Sequence, residues 1–248
     1  MKKHEIVQKP LTPGEVFELG ELTLQSLPRD LDALKVRAEL SSKGKLRRDL
    51  AEFFRKRYAA WPHTINVASW TDFYYRIFSK EVDLSGLSVP AQPDYPCWPI
   101  VIVPGLVTNN EVFDASKRLF GDAWRYVDNL NTVLDVVERP KGPYVVWVKA
   151  LVEVDQDLAN TSADQIMERK LNTITLLERF VLGLKYYDET GQHLDVKNWT
   201  LCAGSRFADG SVPYVCWSPT LRKLGVHRCS SRGADPGVRA RAAVVPET

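Results

Sequence analysis

Apolar residues recur at helical spacing in the first third of the chain and alternate in short runs near its end, with proline- and glycine-rich breaks between. Thr12-Pro13-Gly14-Glu15 places threonine at an N-cap, proline at the first helical position and glutamate where it closes a capping box. Val16, Leu19, Leu22 and Leu24 then fall near helical spacing, so a helix is expected over Glu15–Leu27, ended by Pro28. A second helix is expected over Leu31–Leu40. After Gly44, Lys45–Tyr58 sets Leu46, Leu50, Phe53 and Phe54 against a basic face. Asp83–Pro99 carries Pro90, Pro93, Pro96 and Pro99 and reads as an extended connector, because proline fixes φ and removes a donor.

Beyond the connector the pattern changes. Ile100–Val103 is a short strand stopped by Pro104-Gly105, and Thr108 with Glu111 forms a capping box for a helix over Val112–Phe120 that ends at Gly121. Tyr144–Val148 predicts a strand, and Ser162-Ala163-Asp164-Gln165 opens a short helix. Thr175 and Glu178 box the start of a helix over Leu176–Glu189 with Gly191 just past its end. Its expected buried stripe is Leu176, Leu177, Phe180, Val181, Leu184 and Tyr187. Strands follow at Thr200–Ala203, Val212–Trp217, Lys223–Arg228 and Val238–Val245, with turns at Asp209-Gly210 and Ser218-Pro219. If Val212, Val215, Leu224 and Val226 point inward, alternation sends Tyr214, Cys216 and His227 outward. Val212 and Val215 cannot share a face of a regular strand, so a bulge or turn is expected near Pro213. Cys229–Gly237 is polar and glycine-rich and should be an exposed loop. The expected fold class is α+β, with a helical N-terminal region over 1–90 and a second, strand-rich domain over 95–248.

Composition narrows this little. Apolar residues at 44% and charged residues at 26% are ordinary for a globular chain, and 248 residues suffice to bury a full core. No apolar run approaches the roughly 18 residues of a membrane span, and no apolar segment follows the basic start, so a cytoplasmic protein without membrane contact is expected. The net charge of +2 is unevenly spread: Leu201–Val245 holds seven basic residues against two acidic, which would steer acidic partners. The cysteines, Cys97, Cys202, Cys216 and Cys229, include no C-x-x-C pair, so free thiols are expected, with Cys216 and Cys229 able to face each other across a hairpin.

Motifs for chemistry are wanting. Ala203-Gly204-Ser205-Arg206 lacks the second glycine of a nucleophile elbow, and no zinc-protease, P-loop or dinucleotide fingerprint occurs. The histidines (His4, His63, His193, His227) stand apart from one another, and Asp164, Glu168, Glu178, Asp188 and Glu189 read as caps and solvated faces. No metal, no cofactor and no catalytic residue is expected. The stretch between Arg206 and Gly237 instead mixes aromatic, Ser, Arg, His and Cys residues without period, a composition suited to contact with a partner. The expected contacts are Phe207, Ala208, Tyr214, Cys216, Trp217, Ser218, Thr220, His227, Cys229, Ser230, Ser231 and Arg232.

Several segments resemble a family of bacterial proteins from candidate-phylum lineages: Glu39–Gly44 (ELSSKG), Val82–Ser85 (VDLS), Trp124–Tyr126 (WRY), Ile174–Arg179 (ITLLER), Lys185–Tyr187, Glu189–Gly191, His193–Asp195, Trp199–Arg206 (WTLCAGSR) and Val238–Arg241 (VRAR). That resemblance spans most of the chain and implies no activity. Separately, Ala203-Gly204-Ser205-Arg206 and Gly237-Val238-Arg239-Ala240 resemble the Gly-Gly-Ser-Trp and Gly-Phe-Arg-Val frame of C-type-lectin-like domains, with Arg206 where the frame has tryptophan. The frame occurs in formylglycine-generating enzymes and in the variable proteins of diversity-generating retroelements. The enzymes use a closely spaced cysteine pair, which Cys216 and Cys229 do not form. The resemblance therefore implies a C-type-lectin-like domain whose hypervariable surface, diversified by adenine-directed mutagenic reverse transcription, binds a protein or other macromolecular ligand. Gly204, Ser205, Arg239 and Arg241 would hold the frame. A structural calcium and a homo-oligomer are both compatible with it. Two other readings stand beside it: an enzyme with a cleft between the two regions, and a nucleic-acid-associated protein using the basic helix 45–57.

Overall fold

The computed structural model describes residues 64–247, together with the isolated helical positions 17, 18, 20, 21, 25 and 37. The helices expected over Glu15–Leu27 and Leu31–Leu40 fall mostly outside the described residues, and the basic helix 45–57 wholly so. The chain divides into two units, Met1–Phe53 and Phe54–Thr248.

In the second unit, α1 (Val67–Phe78) starts where the Asn66 side chain accepts the Ser69 N–H and buries Trp70, Phe73, Tyr74 and Ile77. Strand β1 (Cys97–Ile102) is buried along its whole length. It begins three residues before the expected Ile100 and includes Pro99, which is tolerated because β1 lies at a sheet edge, where an N–H can be missing from the ladder. Helix α2 (Asn109–Phe120) carries the Thr108/Glu111 capping box and stops at Gly121. Then come β2 (Ala123–Arg125), β3 (Leu134–Asp135) and β4 (Tyr144–Lys149). Next are α3 (Ala163–Glu168), capped by Ser162 and Gln165, and α4 (Leu176–Thr190), capped by Thr175 and Glu178 and closed by left-handed Gly191. The C-terminal part holds β5 (Trp199–Leu201), β6 (Ser205–Arg206), β7 (Val212–Ser218), β8 (Lys223–Cys229), β9 (Val238–Ala240) and β10 (Ala243–Val244). The architecture is mixed α+β. No described helix is long and apolar enough to cross a membrane.

Three sheets result: β1-β4-β10, β2-β8-β7-β5-β9, and the pair β3-β6. The run Val238–Val245 is therefore two strands in different sheets, not one. Arg241 lies at the switch, and burial of its guanidinium turns the chain there. The five-stranded sheet is mixed: β7 pairs antiparallel with β8 and β5, whereas β2 and β9 join parallel at its edges.

Strands β7 and β8 run in unbroken register from Val212↔Cys229 to Ser218↔Lys223, so the bulge expected near Pro213 does not occur. Val212 and Val215 lie on opposite faces and both are buried because each face has its own apolar cluster. Val215, Trp217, Leu224 and Val226 join the main core with Phe113, Phe180 and the β1–β4 strands. Val212 joins a smaller cluster with Leu201, Ala203, Leu158, Ala163, Ile166, Val238 and Ala240. The same register sets Cys216 opposite Gly225 and Cys229 opposite Val212, so the two cysteines do not face each other; all four thiols are free.

Helix α4 departs most from its expected stripe. It is buried nearly all round, including Glu178, Arg179 and Lys185. Each buried charge has a partner set. Glu178 caps the helix but is not solvated: it accepts the Thr175 N–H (2.7 Å), the Tyr144 hydroxyl (3.0 Å) and Arg139 Nε (2.7 Å). Lys185 Nζ donates to Ser69 Oγ (2.7 Å), pairs with Glu189 (2.8 Å) and lies over the Trp70 ring (5.1 Å). Arg179 reaches Asp195, whose carboxylate also takes the Arg241 guanidinium and the Thr200 hydroxyl. Asp195, Arg241 and Thr200 are fully buried, and Arg241 donates further to the carbonyls of Leu151 (2.8 Å) and Val152 (3.0 Å). One carboxylate thus neutralises part of two buried cations. Asp195 also holds a left-handed backbone (φ 57°), which asparagine tolerates. Asp195→Asn keeps that conformation while stranding both guanidiniums without an anion. It is expected to cost about 3–5 kcal/mol of unfolding free energy. Urea titration measures it, and a variant within about 1 kcal/mol of wild type would refute the pairing as an energetic centre.

Candidate functional site

Alternation along β7 and β8 sends Tyr214, Cys216, Gly225 and His227 to the face of the five-stranded sheet opposite the main core. Leu201 pairs with Tyr214, so Trp199, two residues back on β5, shares that face. Trp124 pairs with Gly225 from β2. Four rings from four neighbouring strands therefore come together. Trp199 stacks on Tyr214 (centroids 5.4 Å, planes 9° apart), Tyr214 on His227 (5.1 Å, 13°), and His227 meets Trp124 at 4.7 Å with a 37° tilt. Near-parallel rings more than 5 Å apart are offset, so part of each π-face stays uncovered. Trp124 and Trp199, at the two ends, each keep 40% of their surface exposed, and Tyr214 and His227 are half-buried.

Small residues make room for the row. A methyl at Gly225 would stand 2.5 Å from His227 Nε2 and 3.3 Å from Cys216 Sγ, so the imidazole lies where a side chain at 225 would be. Burial, then the nearby Lys223 cation, holds the His227 pKa below the ordinary histidine value. Burial pushes the Tyr214 hydroxyl and the Cys216 and Cys229 thiols up. The thiols are thus protonated and poorly nucleophilic near neutrality. Among the described residues no group of three or more His, Cys, Asp or Glu side chains is placed to hold a metal ion. The chemistry this face supports is stacking, with hydrogen bonds from ring-edge polar atoms.

Not all of the expected contacts meet here. Tyr214 and His227 do; Cys216 has their parity but is buried and presents no contact surface, and Cys229 lies on the same face at the end of β8. Phe207 and Trp217 face the main core: Trp217 has the parity of Val215, and Phe207 is buried in the same cluster with its ring against Tyr126. Ser218 and Thr220 lie at the β7–β8 turn, while Ser230, Ser231 and Arg232 follow the opposite end of β8, about 20 Å away along a seven-residue strand. There Ser231 Oγ donates to Asp164 at 3.2 Å. Ala208 is exposed in the turn before β7. Trp124 and Trp199 escaped the sequence reading. The available signal was that Trp199 has the parity of Leu201; Trp124 lies in a three-residue strand whose partner is about a hundred residues away, and no local pattern announces it.

Trp217 has a second role. His193 stacks on it (3.5 Å, 11°) and on Tyr187 (4.7 Å, 29°), with Phe120 edge-on to both. Burial first, then the Arg179 charge, brings the His193 pKa down to about 4.

Of the frame segments, Gly204-Ser205 lies against the start of α4, and Val238–Ala240 is the edge strand β9 of the sheet itself. Ser205 Oγ donates to Asp135 (2.6 Å) and accepts the Leu176 N–H (2.9 Å) at the start of α4. A methyl at Gly204 would press within 3.2 Å of the Thr173 and Ile174 carbonyls. Arg239 is half-exposed and bonds Gln156 (2.6 Å), whereas Arg241 is buried on Asp195. No protein-family model matches the chain, and neither does any curated protein or solved structure.

Two outcomes test this geometry. Gly225→Ala should displace the imidazole toward solvent and raise the His227 pKa toward 6.5, read by NMR titration, with the fold retained; an unchanged titration would place the ring elsewhere. For His193 the folded pKa lies below the unfolded value of 6.5, so the unfolded chain binds the extra proton first and stability falls as pH drops from about 6.5 to about 4. His193→Phe keeps an aromatic stack and should flatten the Tm-against-pH curve in that window. An equally steep fall in the variant would remove His193 as its source.

Proposed function

We propose that this is a non-enzymatic ligand-binding protein, a C-type-lectin-like scaffold that displays a diversified surface in the manner of retroelement variable proteins. The observation that carries the reading is the row Trp124–His227–Tyr214–Trp199, four partly exposed rings in mutual contact on a sheet whose other face is core. Contiguous exposed aromatic surface on a rigid support is what binding faces require. The frame segments favour the same reading. Gly204-Ser205 is pressed against the start of α4 and Arg241 is locked on Asp195, while the hairpin between them carries Tyr214 and His227 outward. Such an arrangement leaves room for change at Tyr214 and His227, and none at Val212, Cys216 or Gly225 of the same face or at the core-facing positions.

In that reading the four cysteines and the buried carboxylates have structural duties: the thiols are held protonated by burial, and Glu178 and Asp195 are spent on buried cations. The partner would be a macromolecule gripped by aromatic burial, with Ser and Arg side chains at the rim adapting to it.

The DNA around the gene tests this. A reverse transcriptase gene and an imperfect repeat of the segment encoding Arg206–Arg241 are expected nearby. Differences between the copies should fall at outward codons such as those of Tyr214 and His227, sparing Val215, Trp217, Leu224 and Val226, whose side chains fill the core. A locus without the repeat, or differences spread evenly over both faces, would rule out diversification.

A further inference from the structure

Resting on the reading of this face as a binding face, we propose that the ring row is a platform for single-stranded nucleic acid. Three features of the sheet lead there. Tyr214 and His227 occupy adjacent inner strands, β7 and β8, and Trp124 and Trp199 extend the row to β2 and β5. The row crosses three strand spacings, roughly 14 Å, and aromatics displayed on a sheet stack two or three splayed bases in other folds. It runs across the strands, so an added β-strand, which would lie along them, does not fit it.

The second feature is area. At 150–250 Å² per aromatic side chain, two tryptophans at 40% exposure and two half-buried rings offer roughly 300 Å², well short of the roughly 800 Å² per partner of a stable protein interface. It is enough for a few bases.

The third is charge. Lys223 is on the same face of β8 as His227, and Arg222 stands exposed in the turn beside it. At the other end Lys197 is exposed two residues before Trp199. Three carboxylates lie nearby, each tied to backbone N–H groups or to a lysine. Glu153 accepts the N–H groups of Val196, Lys197 and Asn198, Asp235 accepts the Gly237 N–H, and Asp122 lies 3.8 Å from Lys223. Lys197 and Arg222 form no ion pair with a described residue. A stacking row with cations at both ends matches a polyanion whose bases are free to stack, and a duplex keeps its bases covered.

Fluorescence anisotropy of a labelled single-stranded DNA of about a dozen mixed nucleotides, titrated with the full chain, tests this. Saturable binding that weakens as salt rises is expected, with quenching of tryptophan emission. Trp124→Ala and Trp199→Ala should each lower affinity about 5- to 150-fold, and Trp124→Phe should restore most of it. Lys223→Ala should reduce the salt dependence. Absence of saturable binding below about 100 µM protein at low salt would overturn the proposal. So would a duplex that binds as tightly as the single strand, or alanine variants that bind like wild type, which leaves charge attraction alone. A protein ligand that needs Trp124 while the oligonucleotide fails to bind also overturns it. The repeat beside the gene is a separate test, so either proposal can fail alone.

Discussion

A single buried carboxylate serves two buried guanidiniums, and the relative placement of α4, β5 and the C-terminal strands follows from that. Arg179 comes from the helix, Arg241 from the switch between two sheets, and Asp195 from the turn between them. Removing ions from water costs several kcal/mol each, so the arrangement persists only with every lone pair engaged. Thr200 and the Leu151 and Val152 carbonyls supply further partners, while the buried Arg241 Nε has none. Satisfying Arg241 obliges the chain to leave the five-stranded sheet after Ala240 and join the three-stranded one at Ala243. The Asp195 backbone ties the same centre to both neighbours: its N–H reaches Val152 and its carbonyl accepts from Trp217. The sheet that carries the ring row is thereby pinned to the helix behind it.

Local rules were legible wherever side chain and backbone interact within a few residues. Capping boxes at Thr108, Ser162 and Thr175 and the left-handed Gly191 mark helix ends that the structure keeps. Burial was harder to read. The polar residues of α4 look like a solvated face because periodicity carries no information about what lies opposite, and Arg139 and Asp195 lie opposite as buried partners of Glu178 and Arg179. The valines of β7 suggested a bulge because one face was assumed to be wet; a second apolar cluster covers part of it.

The site was half legible for the same reason. Alternation within β7 and β8 placed Tyr214 and His227 correctly once Val215 and Val226 were set inward. Trp124 and Trp199 belong to the row only through strand pairings with β8 and β7, and pairing across long loops is invisible to local pattern. Phe207 and Trp217 were drawn into the expected contacts by composition, although parity alone separates Trp217 from Tyr214.

The row also explains why its floor is made of small groups. Stacked rings need the backbone beneath them to be flat and uncrowded, and Gly225 opposite Cys216 supplies this on the two inner strands. Because Val215 and Val226 anchor those strands from the core side, the rings have little freedom left to lose. Ordering a side chain at an interface costs roughly 0.5–1.5 kcal/mol, so four rings already held against one another begin with several kcal/mol of that cost removed. Leaving two tryptophans partly in water is the counterpart of that advantage. The stability forgone at the surface is regained only if something covers them.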